Sequence, residues 1–511
     1  MIRPFFALAA FALVGSTPQQ APAITPVIAK GRISTRPTPA ELGSVSGYIE
    51  QILKSTKTPG MAIAVARHGR VIWEHGYGWA VPERHIRATP HTMFGLASIS
   101  KSITGLELML LSARGLISLD APANRYLGSA KLTSPQWNTD AATVRRVATH
   151  TAGLTSFDAV CYDDEPDCNR SLARTIQRHG IIFWKPGTRF DYSNLGFGVL
   201  SYLISRVRHR PFVSAVRKDL LIPLGIRECA PDWSSAVAPH YQDGVRAPRQ
   251  VALAQGASGL ACSADSLVRL GMFMLKDKTA NNGNLEAALV DQTLAGSVSA
   301  DDPVLRYSTG WWINPDQDGY RLVYASGGTL HSGALLYTFP TADIAIVVLG
   351  NGGNPRLSNV ADRIAAKLLP GYAARLAKNS SSSGQAAAAA SAPDPRLASL
   401  AGAWTGAIKT WNGSRPVKFV VRPDGSTIAS INGAPLSKER DARIYRDGFV
   451  LGAHGNVDTP ETDRRRPYRI GFEVYRDATG GLQGAATTWQ DPGARNGGVF
   501  SYPVHLTRLS R

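Results

Sequence analysis

A segment of low complexity constrains the fold of this chain more than any other feature. Residues 374–395 contain the run Asn-Ser-Ser-Ser-Ser-Gly at 379–384 and five consecutive alanines at 386–390, and apart from Leu376 they lack the bulky apolar side chains that packing requires. This composition is typical of a linker and divides a chain of 511 residues, which is long enough for more than one domain. We therefore predict two domains, at 39–373 and 396–511.

The first domain has strand-like sequence at both ends and helical sequence between them. After a predicted helix that contains Ile49 and Leu53, two apolar runs joined in hairpin style by His68-Gly69 predict strands at 61–66 and 71–75. A long helix is predicted over 193–207. Four more strands are predicted, at 307–312, 322–325, 334–339 and 344–349. The pattern predicts an α+β fold, in which one antiparallel sheet from distant segments is flanked by helices and a helical lobe is inserted.

The second predicted domain has a different sequence pattern, made of short strand-like runs. Turn-forming residues separate short apolar runs that predict seven strands, at 403–408, 417–421, 427–431, 449–453, 468–474, 483–488 and 501–506. Such regular spacing predicts a small all-β domain, either a barrel or a sandwich.

The N-terminus predicts export. Met1-Ile2-Arg3 precedes an apolar run at 5–14 with the length of a secretory signal, and Ala21-Pro22-Ala23 is the expected cleavage site, which makes residues 1–23 a signal peptide. Cleavage nearer Gly15-Ser16 and retention of the segment as a membrane anchor are the alternatives. Because the run is too short for a spanning helix and no later stretch is long enough, we expect a soluble periplasmic or extracellular protein.

The cysteines point to disulfides. Cys161, Cys168, Cys229 and Cys262 are an even number in a chain predicted to be exported. Since sequence-near pairs usually close local loops, we predict Cys161–Cys168 and Cys229–Cys262, although sequence alone does not fix the connectivity. Neither a Cys-x-x-Cys nor a His-Glu-x-x-His pattern occurs, so no metal or other cofactor is predicted.

The chain is strongly basic, with a net charge of +18. A charge of this size permits binding to anionic polymers or membrane surfaces through long-range fields. The Lys and Arg residues are dispersed, however, and the run Arg464-Arg465-Arg466 stands alone without a nucleic-acid motif. We therefore predict a solvated basic surface and no nucleic-acid partner.

A serine and a lysine three residues apart are the first catalytic candidates. Residues 94–101 read Phe-Gly-Leu-Ala-Ser-Ile-Ser-Lys and lead into apolar residues at helical spacing. Residues i and i+3 share a helix face, so the Lys101 amine can reach the Ser98 hydroxyl, and a desolvated lysine can take its proton. Ser-x-x-Lys occurs once in the chain. The competing interpretation is a buried amphipathic helix with an incidental lysine.

A second polar motif precedes the predicted helix at 193–207. Residues 187–194 read Gly-Thr-Arg-Phe-Asp-Tyr-Ser-Asn, and Tyr192-x-Asn194 is the only triplet of its kind in the chain. A phenol beside a lysine can shuttle a proton to a leaving group, and an asparagine can hydrogen-bond a substrate amide. The competing interpretation is a capping turn with a packed tyrosine.

In this order, Ser98-x-x-Lys101, Tyr192-x-Asn194 and a Gly-rich strand end resemble the serine β-lactamase and penicillin-binding protein superfamily, in particular its class C-like branch of β-lactamases, esterases and DD-peptidases. Other stretches of the first domain also resemble family landmarks, namely Pro59-Gly60-Met61, Gly76-Tyr77-Gly78, Leu119-Asp120, Thr149-His150-Thr151-Ala152-Gly153-Leu154, Pro186-Gly187 and Ser258-Gly259-Leu260. The resemblance implies a β-lactamase/DD-peptidase-like fold.

The same resemblance implies roles for the motif residues. Ser98 would be the acylated nucleophile, and Lys101 would assist its deprotonation. Tyr192 would serve as base and proton relay, and Asn194 would orient the substrate. His150 would have a structural role.

The third motif departs from the family pattern. Counting back from Pro340 puts Ala325-Ser326-Gly327 where the family has a Lys or His, a small residue and a Gly, so an alanine replaces the cation. The N–H of Gly328 would join that of Ser98 in an oxyanion hole, and Ser326 and Gly327 would bind substrate. His331-Ser332-Gly333 has the right residue types six positions later. We prefer the register at Ala325, because the alternative shortens the hairpin.

The predicted function is that of a secreted serine hydrolase, which cleaves an amide or ester through a Ser98 acyl-enzyme. β-Lactams, D-amino-acid peptides and small esters are all candidate substrates, and the alanine at 325 favours esters or uncharged amides. The α/β-hydrolase alternative fails, because no Gly-x-Ser-x-Gly elbow is present. A catalytically degenerate protein that binds a cell-wall fragment or small ligand without turnover is the other alternative.

The second domain begins with Leu-Ala-Gly-Ala-Trp-Thr-Gly at 400–406, which resembles the lipocalin-like barrels appended to some of these hydrolases. We expect an accessory domain rather than a ligand carrier. The expected partner of the whole protein is a small-molecule or peptide substrate such as a cell-wall component.

Overall fold

The computed structural model describes residues 38–162, 171–276, 287–300, 302–353, 356–374, 377, 395–446, 448–459, 468–489 and 498–509. The predicted signal peptide, Cys168 and nearly all of the predicted linker lie outside these residues. Within the described ranges the α-helices are α1 Gly43–Thr56, α2 Ser100–Ala113, α3 Val144–Ala148, α4 Leu172–His179, α5 Asn194–Arg208, α6 Phe212–Val216, α7 Gln255–Ser258, α8 Ala264–Met274, α9 Ala288–Leu294 and α10 Leu357–Leu368.

The strands before the predicted linker are β1 Gly60–Arg67, β2 Arg70–Val81, β3 Ile86–Arg87, β4 Phe94–Gly95, β5 Asp158–Tyr162, β6 Cys229–Pro231, β7 Tyr241–Gln242, β8 Val245–Arg246, β9 Gln250–Ala252, β10 Leu260–Cys262, β11 Val298–Ser299, β12 Arg306–Ser308, β13 Trp311–Gln317, β14 Tyr320–Gly328, β15 Gly333–Phe339 and β16 Ile344–Gly350. After the predicted linker come β17 Gly402–Thr410, β18 Gly413–Val421, β19 Thr427–Ile431, β20 Ala434–Pro435, β21 Ser437–Tyr445, β22 Gly448–Gly455, β23 Tyr468–Arg476, β24 Leu482–Trp489 and β25 Gly498–Arg508.

The main sheet joins the two ends of the first domain. Its strands follow the order β11-β12-β13-β14-β15-β16-β1-β2-β3, and β1 pairs antiparallel with β16 so that Met61 faces Gly350. Most of the helical segments lie between β3 and β11 in the chain. The α+β prediction, with one antiparallel sheet and an inserted helical lobe, is confirmed.

Helices cover both faces of the sheet. Along β1 alternate side chains enter different cores, because successive residues of a strand point to opposite faces. Ala62 and Ala64 pack in the core that also holds residues of α2, α5 and α8, whereas Ile63 and Val65 pack with residues of α1 and α10. The residues of β1 up to Ala66 are therefore buried, which explains the uninterrupted apolar run.

One predicted strand of the first domain is wrong. Residues 307–312 form parts of two strands, β12 and β13, because Gly310 adopts a φ of +87° and turns the chain between them. A Cβ at Gly310 would lie 2.3 Å from the carbonyl oxygen of Lys101. The glycine therefore lets this turn approach the helix that carries Lys101.

The described residues between 402 and 508 form a nearly closed, barrel-like antiparallel sheet. The strands follow the order β20-β19-β18-β17-β25-β24-β23-β22-β21. The N–H of Ala442 in β21 donates to the carbonyl oxygen of Gly425, just before β19, at 3.0 Å, and this bond draws the two ends of the sheet together. We refer to residues 402–508 as the barrel.

The barrel packs directly on the first domain. β25 pairs with β5, so that Val499 faces Asp158, and the Ser501 hydroxyl donates to the carbonyl oxygen of Ser156 at 3.2 Å. In the part of the chain that the structure describes, no helix combines the length and apolar character needed to cross a membrane.

Candidate functional site

Ser98 follows a short strand that a disulfide holds in place. Strand β4 ends just before the 3-10 turn Ala97–Ile99 and pairs with β10, which in turn pairs with β6. Cys262 of β10 is bonded to Cys229 of β6, which confirms this predicted pair. The predicted Cys161–Cys168 bridge lies outside the described residues, since Cys168 is not among them.

The backbone is strained immediately before the serine. Ala97 has a φ of +44°, a left-handed conformation that costs a non-glycine residue roughly 1–3 kcal/mol and persists only where the surroundings hold it. The Leu96 N–H donates to the Leu260 carbonyl at 2.8 Å, and the Ile99 N–H donates to the Leu96 carbonyl at 3.1 Å. The resulting turn presents a half-buried Ser98 at the start of α2.

Lys101 is aimed at Ser98. Its Nζ donates to Ser98 Oγ at 2.9 Å and to the carbonyl oxygen of Ala257 at 3.1 Å, and the side chain is only 1% exposed. The same Nζ lies 4.7 Å from the centroid of the Tyr192 ring. The structure therefore brings Ser98, Lys101 and Tyr192 together, although Tyr192 is distant in sequence.

His150 supports the segment that carries Tyr192. Its Nδ1 accepts a hydrogen bond from the Ser193 N–H at 3.0 Å, and its carbonyl oxygen accepts one from the Asp191 N–H at 2.7 Å. The two rings of His150 and Tyr192 are 4.4 Å apart. Burial, assisted by the charge of Lys101, holds the pKa of His150 well below its usual value, so the ring is neutral and carries its proton on Nε2. His150 therefore braces the Tyr192 backbone from both sides.

Aromatic side chains outside the sequence motifs also surround Tyr192 and His150. Trp312 of β13 stacks on Tyr192 at 6.3 Å with an interplanar angle of 14°, and it stacks on Tyr324 at 6.3 Å and 19°. Tyr307 is buried against His150, with ring centroids 4.8 Å apart. The sequence signal that could have located these side chains is the adjacent pair Trp311-Trp312 in the predicted strand 307–312. No local pattern, however, links this pair to Tyr192.

Asn194 lies at the start of α5, and one polar atom of its side chain makes no hydrogen bond among the described residues. The Ser193 hydroxyl caps this helix by accepting from the Gly196 N–H at 3.0 Å. Asn194 Oδ1 is buried and has no hydrogen-bond partner among the described residues. A buried amide oxygen without a donor is costly, so it is suited to accept an N–H or O–H from a ligand.

The end of β14 lies against Ser98. A Cβ at Gly327 would be 2.1 Å from the Leu96 carbonyl oxygen and 2.8 Å from the Ser98 nitrogen, so only glycine permits this approach. Gly328 has open space where its Cβ would be. Ala325 is buried, with 2% of its surface exposed, whereas Ser326 is exposed.

His331 lies elsewhere in the hairpin. Gly328 pairs with Gly333, so His331 and Ser332 belong to the turn between β14 and β15. The His331 ring is 5% exposed and lies 6.2 Å from that of Tyr162. The structure thus places Gly327, and not His331, at the strand end beside Ser98.

One group of side chains in the described ranges has the spacing of metal ligands. Ligand atoms of His91, Glu228 and Asp265 lie within 4.8 Å of one another. Glu228 Oε2 already accepts from the Ser263 hydroxyl at 2.6 Å and contacts His91 Nδ1 at 3.1 Å, while Asp265 lies 3.6 Å from Arg269. These contacts satisfy the group without an ion, and we assign it no cofactor.

Comparison with known proteins places this site in a family. The family model described as Beta-lactamase matches residues 45–369. Protein flp of Staphylococcus aureus (strain N315) is 24% identical over 334 residues, which cover 62% of this chain and 64% of the relative. Esterase EstB of Burkholderia gladioli is 28% identical over 199 residues, which cover 36% of this chain and 50% of the relative. The chain thus spans less than two thirds of either relative.

A solved structure extends the likeness in fold to the barrel. The octameric penicillin-binding protein homologue from Pyrococcus abyssi matches 91% of this chain and 99% of its own, with a TM-score of 0.54 and 20% identity. The match to the family model covers well over half of the chain, from before β1 to the end of α10. The chain therefore belongs to the Beta-lactamase family.

Proposed function

We propose that this protein is an exported serine hydrolase that cleaves an ester or amide through an acyl-enzyme at Ser98. The observation that carries the proposal is the position of Lys101 Nζ, 2.9 Å from Ser98 Oγ and 4.7 Å from the Tyr192 ring centroid. A hydroxyl becomes a nucleophile only when a base within hydrogen-bond reach takes its proton. Lys101 Nζ lies within that reach, and Tyr192, whose ring lies beside Nζ, is the second candidate base.

Acylation would proceed in two bond changes. Ser98 Oγ forms a bond to the substrate carbonyl carbon while its proton passes to the Lys101 amine or the Tyr192 phenolate. The tetrahedral oxyanion accepts hydrogen bonds from the N–H groups of Ser98 and Gly328. Collapse then breaks the bond to the leaving alcohol or amine, which takes up that same proton, either directly from Tyr192 or from Lys101 with Tyr192 as the relay.

Deacylation would reverse the proton path. Water attacks the Ser98 ester and gives up a proton to the same base, and breakage of the Ser98 ester bond releases the carboxylic acid product. The proton returns to Ser98 Oγ, which restores the free enzyme. The cycle is a net hydrolysis and uses only groups of this chain and water.

The surroundings favour a neutral substrate. Ala325 stands where the family carries a Lys or His, and the stacked rings of Trp312 and Tyr324 continue from Tyr192 as an apolar surface. Asn194 Oδ1, which lacks a partner among the described residues, is available to a substrate N–H or O–H. Esters and uncharged amides fit these features better than a substrate that needs its carboxylate bound.

Ala325 also supports a second candidate, a degenerate protein that binds a cell-wall fragment without turnover. A serine-reactive probe distinguishes the two, because a fluorophosphonate labels an activated serine whatever the natural substrate. Export is supported by the sequence of residues 1–23 and by the Cys229–Cys262 disulfide, since disulfides are typical of exported proteins.

The function is tested by a panel of a chromogenic β-lactam, p-nitrophenyl esters of short acids and a D-Ala-D-Ala peptide, with Ser98→Ala as the control. We expect turnover of the neutral esters by the wild type and none above background by the variant. Absence of turnover across the panel together with absence of fluorophosphonate labelling would favour the binding protein.

A further inference from the structure

We propose that the barrel is a positioning element of the Ser98 site, and that Glu473 and Arg446 of the barrel hold the segment that carries Tyr192. The inference rests on the proposed function, in which Tyr192 moves the proton between nucleophile and leaving group. It assigns the barrel a part in catalysis without any contact with substrate.

Glu473 reaches the Tyr192 segment through Arg189. Glu473 Oε1 accepts from Arg189 Nη1 at 2.7 Å, and Arg189 Nη2 donates to Asp191 Oδ2 at 3.0 Å. Asp191 precedes Tyr192 in the chain, and its Oδ2 also accepts from Trp184 Nε1 at 2.8 Å. One guanidinium therefore links a strand of the barrel to the residue next to the candidate base.

This linkage is more than a surface ion pair. The side chains of Arg189 and Glu473 are only 15% and 27% exposed, and the guanidinium carbon of Arg189 lies 3.7 Å from the ring centroid of Trp184. Burial alone would lower the pKa of Arg189, but Glu473 and Asp191 outweigh it and raise the pKa. Partly desolvated hydrogen bonds between charged groups hold geometry better than exposed ones.

Arg446 makes the second contact. Its Nη2 donates to the carbonyl oxygen of Phe190 at 3.2 Å. The Phe190 ring lies 5.6 Å from that of His150 and 6.1 Å from that of Trp312, and both of these rings contact Tyr192. The barrel thus forms hydrogen bonds to two consecutive residues, Arg189 and Phe190, just before Tyr192.

Further packing contacts fix the barrel against the part of the chain that carries the Ser98 site. Beyond the pairing of β25 with β5, Ala485 is buried in a cluster with Phe183 and Trp184, and the Phe500 ring packs 5.6 Å from that of Phe157. One buried core also runs without interruption from α2 and α5 into the barrel. Close-packed interiors transmit small displacements, so a shift of these barrel strands would reach Tyr192.

The test uses the full-length protein and a p-nitrophenyl ester. Glu473→Ala and Arg446→Ala should each lower kcat by about 10- to 100-fold, since a displacement of about 1 Å at a catalytic group costs on the order of 100-fold, with KM changed by less than about 3-fold. Glu473→Gln keeps an acceptor for Arg189 and should recover part of the loss. The matched control is Glu439→Ala, because Glu439 pairs with Arg469 inside the barrel.

A double-mutant cycle separates positioning from a general loss of structure. If Glu473 acts through Tyr192, Glu473→Ala should change kcat by less than about 2-fold in a Tyr192→Phe background. An equal loss in both backgrounds would overturn the proposal, as would wild-type kcat in folded Glu473→Ala and Arg446→Ala. Should Glu473→Ala fail to fold, Glu473→Gln and Arg446→Ala decide the question. Hydrolysis that survives Ser98→Ala would instead overturn the proposed function.

Discussion

The imidazole Nδ1 of His150 accepts a hydrogen bond from the backbone N–H of Ser193 at 3.0 Å, across 43 residues of sequence. This bond requires a neutral ring, because a protonated imidazole has no acceptor. Burial, with the charge of Lys101, lowers the pKa of His150 and keeps it neutral. The bond therefore couples the position of Tyr192 to pH.

The first prediction concerns this pH dependence. The pKa of His150 is lower in the folded chain than the usual histidine value of 6.5, so the unfolded chain binds an extra proton below that pH. Stability therefore falls on acidification, by up to about 1.4 kcal/mol per pH unit. His150→Gln does not titrate, so its stability deficit at pH 7.5 should shrink at pH 5.5. Urea unfolding at several pH values measures this, and a deficit that stays constant would contradict it.

The second prediction concerns Glu107, through which stability falls as the pH rises rather than as it falls. Glu107 on α2 is fully buried, and its carboxylate oxygens have no hydrogen-bond partner among the described residues. Burial, followed by repulsion from Asp219, raises its pKa from 4.5 to about 7 against the opposing charges of Arg208 and Arg114. The folded chain therefore keeps a proton that the unfolded chain loses, and stability falls as pH rises from about 4.5 to about 7.

Replacement of Glu107 by glutamine removes this loss. Glu107→Gln should be more stable than the wild type at pH 8, by roughly 2–4 kcal/mol at 1.36 kcal/mol per pKa unit, and similar to it at pH 4.5. Equilibrium unfolding at both values provides the measurement. An advantage that is independent of pH would show that the carboxyl is ionised in both states.

The third prediction concerns the strand beside Ser98. Gly327→Ala would force the end of β14 away from Leu96 and Ser98, and loss of one oxyanion donor costs on the order of 100- to 1,000-fold in kcat. Gly328→Ala, whose Cβ enters open space, should lose at least 10-fold less. Steady-state kinetics with one ester compares the two. Equal losses would mean that the oxyanion hole is not built here.

The fourth prediction concerns substrate charge. Wild type should discriminate weakly between a carboxylate-bearing substrate and its neutral ester, because Ala325 supplies no cation. Ala325→Lys should shift the ratio of kcat/KM toward the carboxylate by about 10- to 150-fold, the equivalent of roughly 1.5–3 kcal/mol for a hydrogen bond to a charged group. His331→Ala should leave the ratio unchanged. If His331→Ala instead abolished acylation in a folded protein, the third motif would begin at His331.

Contacts set by local spacing could be predicted from the sequence, whereas most contacts set by long-range packing could not. The contact between Lys101 and Ser98 follows from i, i+3 geometry, and the pairing of β1 with β16 follows from apolar runs at both ends of one domain. Tyr192 required the family resemblance. The bond between Arg189 and Glu473 joins residues 284 positions apart, and no local pattern announces it.

Two strand errors have local physical causes. The turn at Gly310 splits a run that looks continuous, because its positive φ serves the approach to Lys101. Strand β21, which is absent from the strands predicted from the sequence, has charged side chains at the end of the barrel sheet, where most of them are exposed. Charge on an edge strand protects it from unwanted pairing and also hides it from a hydrophobic pattern.

Covalent labelling of Ser98 tests the central claim most directly. After reaction with a fluorophosphonate, peptide mass spectrometry should find one adduct, on the peptide that contains Ser98, and Ser98→Ala should lack both the adduct and ester hydrolysis, a loss of several orders of magnitude. Lys101→Ala and Tyr192→Phe should react far more slowly while remaining folded. Wild-type hydrolysis by Ser98→Ala, or an adduct on another residue that accounts for activity, would contradict the account.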